Sequence, residues 1–160
     1  MIFKKNKDEK RYSFKELSEI LQNGSYEEFF RIAREQHHAI VEFNDLLVAK
    51  GYFQTKQYEH ALRYFARGQY YFLENYLDMV RELLNYFTET KDVSRQITCL
   101  QIIKERSLFE NLLLADLYFG LKQYQNSLRA LRDALLQEPN NEMIQKKMIS
   151  CENIIRDSII

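Results

Sequence analysis

The sequence predicts an all-α protein made of about four helix hairpins and a final helix. Three observations carry that expectation. First, one segment returns at a constant distance. Tyr52, Phe53, Lys56, Gln57, Tyr58, Leu62 and Arg63 recur as Tyr118, Phe119, Lys122, Gln123, Tyr124, Leu128 and Arg129, each pair 66 residues apart. Second, each copy reads as an aromatic pair, a short polar gap, a Tyr and then apolar residues at helical spacing. That is the end of one helix, a tight turn and the start of another. Third, one Pro and four Gly in 160 residues leave the long unbroken stretches that helices need.

Taken in order, residues 1–9 read as a solvated tail. The basic run near the start, Lys4, Lys5, Lys7, Lys10 and Arg11, is broken by Asp8 and Glu9. Ser13 and Glu16 form a capping-box pattern that opens a helix with Phe14, Leu17, Ile20 and Leu21 on one face. Asn23-Gly24 ends it, and Ser25 with Glu28 is a second capping-box pattern, opening a helix that carries Phe29, Ile32 and Ala33. Two short helices joined by so few residues must fold back on each other. A third helix is expected from about Glu42 to Gln54, a turn at Thr55-Lys56-Gln57, and a partner helix from Tyr58 to about Tyr71 with Ala61, Leu62, Phe65 and Gly68 inside.

The pattern restarts near Asn75 with Leu77, Val80, Leu83, Leu84 and Phe87. Tyr86-Phe87 repeats the aromatic pair of Tyr52-Phe53, 34 residues later. The partner helix is expected over Asp92 to Arg106, with Val93, Ile97, Leu100 and Ile103 as its stripe. Arg95 falls where the other copies carry Ala61 or Ser127, which points to a shifted register. Ser107 with Glu110 is a third capping-box pattern, opening a helix with Leu112, Leu113, Ala115, Leu117 and Phe119. Tyr124 to Gln137 follows, stopped by Pro139. After Asn140-Asn141 a last amphipathic helix carries Ile144, Met148, Cys151 and Ile155, and its polar residues Gln145, Lys146, Lys147, Glu152 and Asn153 suit a wet outer face. The units fall near residues 10–41, 42–75, 76–107 and 108–141, followed by the capping helix over 142–160. The odd units match weakly at the same 66-residue offset, Lys15-Glu16-Leu17 against Arg81-Glu82-Leu83, as duplication of a two-unit block would produce.

A helix hairpin of about 34 residues is the period of the tetratricopeptide repeat. The fourth unit resembles that family through Ala115, Tyr118, Tyr124, Ser127, Leu131, Ala134 and Pro139. The second is similar through Ala49, Tyr52, Tyr58, Ala61, Phe65 and Gly68, without the closing Pro. The first and third units depart further: Leu17 and Leu83 stand at the first small position, Phe29 and Arg95 at the second. The resemblance covers about residues 10–141 and implies a right-handed α-solenoid whose hairpins stack because one hairpin cannot bury both its faces. Tyr58, Phe65, Tyr124 and Leu131 are then expected in the stacking core. The alternative is an irregular helical bundle.

In that family the first helix of each hairpin lines a concave groove. The resemblance therefore implies a partner-binding set of Phe43, Leu46, Lys50 and Phe53, then Leu77, Val80, Leu84 and Phe87, then Phe109, Leu112, Asp116 and Phe119. Ten of the twelve are apolar. Family members that clamp a peptide's terminal carboxylates use Lys, Asn and Arg there, so a carboxylate clamp is not expected. An amphipathic helix or extended segment with apolar anchors suits the set better. Three occupants compete: an external protein, a second copy of the chain, or the chain itself.

Composition limits the functional classes. The 23 basic and 23 acidic residues cancel, and no face concentrates the basic excess that nucleic-acid binding requires. Apolar residues at 46% can fill a core, and 11 Tyr with 11 Phe and no Trp imply aromatic packing between helices. Cys99 and Cys151 have no motif spacing, so neither a disulfide framework nor a zinc site is expected. No stretch approaches 18 apolar residues, and residues 1–14 lack the apolar core of a secretory signal, so a cytoplasmic protein is expected. Catalysis is not expected either. His37 and His38 are adjacent and diverge on a helix, His60 has no ligand pattern around it, and no phosphate loop or nucleophile motif occurs. No cofactor or metal is implied. The reading that follows is a non-enzymatic adaptor or scaffold. A small cytoplasmic chaperone for a secreted or assembling client and a self-assembling subunit are the alternatives, the former on fold-level analogy alone.

Overall fold

The computed structural model describes residues 12–35, 41–70 and 73–159. The expected tail, the His37-His38 pair and Tyr71 lie outside them. Among the described residues the chain is all-helical, with nine α-helices, one 3₁₀ turn and no strand. The helices are α1 (Phe14–Gln22), α2 (Tyr26–Glu35), α3 (Val41–Gln54), α4 (Tyr58–Gly68), α5 (Leu77–Glu89), α6 (Val93–Ile102), α7 (Leu108–Gly120), α8 (Tyr124–Gln137) and α9 (Glu142–Asp157), with the 3₁₀ turn at Leu73–Tyr76. The chain divides into two compact units, Met1–Val80 and Arg81–Ile160.

In the first unit, α1, α2 and α3 pack around Leu17, Leu21, Phe29, Ile32, Ala33, Leu47 and Val48, with Phe30, Tyr52 and Tyr64 partly buried against them. The capping box at Ser13 is complete: its hydroxyl accepts the Glu16 N–H, and the Glu16 carboxylate accepts the Ser13 N–H at 2.8 Å. At Ser25 the backbone carbonyl accepts the Phe29 N–H at 2.9 Å. The inner face of α4 is the expected one, with Ala61, Leu62, Phe65 and Gly68 all buried. Gly68 is a point of close approach: a Cβ there would stand 2.6 Å from Leu46 Cδ2. The helix ends at Gly68 rather than near Tyr71, and the Gln69 side chain donates to the Ala66 carbonyl at 2.9 Å.

In the second unit, α7 and α8 pair as a hairpin and α9 packs on α8. Ser127 Oγ ties the hairpin by donating to the buried Ala115 carbonyl at 2.8 Å. The Ser107–Glu110 capping box is complete, and Asn141 caps α9 by accepting from the N–H groups of Met143 and Ile144. Helix α6 is shorter than expected, stopping at Ile102 instead of Arg106. Ile103 turns extended, and the Arg106 guanidinium donates to the Leu100 and Ile103 carbonyls at 3.0 Å each. Those donors satisfy carbonyls that a further helical turn would otherwise need to satisfy.

One turn geometry closes all four hairpins. A left-handed residue follows the first helix each time: Gly24 (φ 76°), Lys56 (φ 58°), Lys91 (φ 57°) and Lys122 (φ 59°). Its N–H bonds back three residues, and the next N–H bonds back five, as in Gln57 N to Tyr52 O at 2.8 Å and Gln123 N to Tyr118 O at 2.9 Å. This is the Schellman closure, which consumes two carbonyls left open at the helix end.

The shared turn allows the units to be aligned by geometry rather than by residue type. Seven residues before the turn residue stand Leu17, Ala49, Leu84 and Ala115, and five after it stand Phe29, Ala61, Gln96 and Ser127. All eight are buried. The third hairpin is therefore one residue out of step with the type-based match. Gln96, not Arg95, faces inward and donates to the Phe87 carbonyl at 3.1 Å, and Leu84, not Leu83, holds the small-residue position. Burial sets this phase: Phe87 has no polar atom and goes inside, while Tyr86 keeps its hydroxyl at the exposed surface.

Candidate functional site

Counting from the turn residue also locates the expected groove residues in each hairpin. They lie thirteen, ten, six and three residues before it in the second and fourth hairpins. In the third hairpin those places belong to Asp78, Arg81, Asn85 and Thr88. The expected residues there, Val80, Leu84 and Phe87, are buried core, and Leu77 is half-buried. That face of α5 is polar, and Arg81 is held by Glu110 at 2.7 Å. In α3, Leu46 is buried beneath Gly68, while Lys50 and Phe53 are half-buried. The side chain of Phe43 lies outside the described residues.

The fourth hairpin differs. Along α7, Phe109 is 71% exposed and Phe119 41% exposed, and Leu112 between them is half-buried. Their spacing of three and seven residues puts them on one helix face. Phe109 follows the Ser107 cap by two residues, so a fixed helix start orients it. Phe119 lies at the other end and packs edge-on against Tyr124, ring centroids 5.2 Å apart. Phe53 meets Tyr58 across the second hairpin's turn with the rings tilted by 48°, centroids 5.7 Å apart. The recurring aromatics thus share one local task, clasping the turn. Phe119 then keeps more of its ring in solvent than Phe53 does.

Beside Phe119 lies a cavity of about 250 Å³, lined by Asp116, Phe119, Ser127, Leu131, Lys147, Ser150 and Cys151. Lys147 and Asp116 join α9 to α7 at 2.6 Å at its edge. Lys147 was expected on the wet outer face of the last helix. It is half-buried, its ammonium paired at the surface with the Asp116 carboxylate 31 residues earlier. Gln145, Lys146, Glu152 and Asn153 are exposed as expected. Ser150 of α9 is a lining group that residue patterns did not single out, and Cys151 was read only as part of the apolar stripe; Asp116 and Lys147, opposite charges about one unit apart, were the available signal.

The site is suited to accept an apolar side chain beside a neutral ion pair. Among the described residues no group of three His, Cys, Asp or Glu side chains gathers to hold a metal. No helix among them is long and apolar enough to cross a membrane. Comparison of the chain with protein-family models, with curated proteins and with solved structures found no match.

Proposed function

We propose that the chain is a non-enzymatic protein-interaction module of the tetratricopeptide type, an adaptor that holds an apolar segment of a partner against α7. The repeated hairpin with one turn geometry supports the repeat reading. The observation that carries the function is the exposure of Phe109 and Phe119 on one face of α7, beside a cavity large enough for a single side chain. Large exposed apolar groups gathered on one face are characteristic of interaction surfaces. The partner presents spaced apolar anchors, as on one face of an amphipathic helix. Two or three such anchors contribute roughly 3–8 kcal/mol by burial. Association and ordering costs offset much of that, so affinity near micromolar is expected.

The test is capture of a partner by the wild-type chain, its identification, and titration of that partner against variants. Phe109→Asp leaves the Phe119–Tyr124 clasp intact and places a carboxylate in the first turn of α7, where the helix favours it. Binding is expected to weaken more than tenfold with helical circular dichroism unchanged. Tyr70→Asp, an exposed aromatic in the other unit, is expected to leave binding as it was. Full affinity in Phe109→Asp and in Phe119→Asp rejects the reading.

A further inference from the structure

A second concavity lies in the first unit, and what it could bind does not depend on the function proposed for α7. Helices α2 and α4 both pack on α3 and leave a cleft of about 590 Å³ between them. That volume falls in the range of small-molecule sites. Its apolar wall is a run of three rings. Phe30 and Tyr52 have centroids 4.6 Å apart, and Tyr52 stacks with Tyr64 at 5.4 Å with the planes 29° apart. Ala33 and Val48 complete that wall. All three rings are only partly buried, so they present aromatic surface to the cleft as well as to each other.

The charged lining groups are Glu27, Arg31, Arg34 and Asp45. Two of them are already neutralised: Arg31 pairs with Glu35 at 2.9 Å, and Asp45 with Arg67 at 3.4 Å. Arg67 also lies over the Tyr64 ring, 5.1 Å from its centroid, which fixes that wall. Arg34 has no carboxylate partner among the described residues. It lies in the last turn of α2, while Glu27 lies in the first, so the two are separated by about 10 Å along the helix. The cleft therefore has a cationic end set against an aromatic wall. Burial, and after it the neighbouring Tyr64, raise the Tyr52 phenol above its usual value against the pull of Arg34 and Arg63.

We propose that this cleft binds an aromatic anion, its ring against Phe30, Tyr52 and Tyr64 and its charge on the Arg34 guanidinium. Ring stacking supplies the apolar part of the affinity, and a charge-assisted bond to a planar guanidinium supplies the direction.

The probe is phenyl phosphate, with phenol and inorganic phosphate as separate arms, followed by nuclear magnetic resonance of the labelled protein. Phenyl phosphate is expected to give saturable shifts confined to Phe30, Tyr52, Tyr64 and their neighbours. Phenol and phosphate each bind at least roughly tenfold more weakly, since each offers only half of the recognition. Arg34→Gln is expected to weaken phenyl phosphate about tenfold while leaving phenol unchanged. Tyr64→Leu weakens both phenyl phosphate and phenol. Shifts scattered over other basic side chains, absence of saturation at millimolar probe, or full affinity in Arg34→Gln overturns the proposal.

Discussion

Arg81 and Glu110 stand 29 residues apart and meet side by side, Nε donating to Oε1 at 2.7 Å and Nη2 to Oε2 at 3.3 Å. Glu110 also accepts the Ser107 N–H at 2.8 Å, so one carboxylate closes a helix cap and an interhelical pair. Burial alone would raise its pKa; the Arg81 bonds and the Ser107 N–H outweigh that and hold it below the ordinary glutamate range. A depressed folded-state value contributes stability that is present above the ordinary value, about 4.3, and is lost as pH falls through the folded one. Glu110→Gln is expected to cost about 1–2 kcal/mol at neutral pH. The lower end is favoured because solvent screens Arg81, which is 40% exposed. Urea denaturation across pH 3–7 checks both parts: the variant's stability should fall less steeply at the acid end than the wild type's.

Three of the four hairpin turns place a lysine in left-handed backbone, where a side chain is strained. Lys91→Gly is expected to stabilise by roughly 0.5–1 kcal/mol, the relief of strain exceeding the added chain entropy. Gly24→Ala, with φ 76°, is expected to destabilise by about 1 kcal/mol. Thermal unfolding of the two variants should move in opposite directions.

Gln96 and Arg95 separate the two possible registers of the third hairpin. Gln96→Ala removes a buried donor to the Phe87 carbonyl and leaves a cavity, an expected loss of about 1–3 kcal/mol. Arg95→Ala removes a half-exposed pair with Asp92 and a contact over the Phe87 ring, an expected loss below about 1 kcal/mol. Equal losses, or the reverse order, would show that the inward residue is Arg95.

Gly68 and Leu46 occupy one space. Gly68→Ala adds a helix-favouring methyl but forces it to 2.6 Å from Leu46 Cδ2 and 2.8 Å from Cγ. A net loss of about 1–2 kcal/mol is expected, since overpacking exceeds the gain in propensity. In a double-mutant cycle, Leu46→Ala should cost less in the Gly68→Ala background than alone.

Cys99 is buried, and burial pushes its thiol up to about 12. A raised folded-state value contributes stability that is intact below the unfolded thiol's value and is lost as pH rises toward the folded one. Cys99 is therefore expected to resist alkylation at pH 8 until denaturant is added, and stability should decline above about pH 9. Mass spectrometry of iodoacetamide-treated protein, with and without urea, reads the first part directly.

Much of the local structure was legible in the residues. Ser13 and Ser107 announced helix starts through their paired glutamates, and both boxes are complete. The recurring aromatics announced hairpins closed by one turn, because Phe53 with Tyr58 and Phe119 with Tyr124 clasp residues only five apart. Such contacts depend on neighbours in the chain, so type and spacing are enough to reveal them. The third hairpin, whose Arg95 pointed to a shifted register, lies one residue off the match by residue type, Tyr86-Phe87 against Tyr52-Phe53, because the fold weighs burial.

Where the helices lie, the caps at Ser13 and Ser107 and the hairpin turns follow from interactions that span a few residues, and residue order was enough to read them. Which face each helix buries was settled by packing between distant segments. It sealed Leu46, Val80, Leu84 and Phe87 inside, left Phe109 and Phe119 in solvent, turned Lys147 onto Asp116, and opened the cleft between α2 and α4. The reason is that periodicity gives the phase of an apolar stripe but not what covers it. A one-residue change of phase rotates a helix by about 100°, and the choice between phases rests on contacts between residues far apart in the chain.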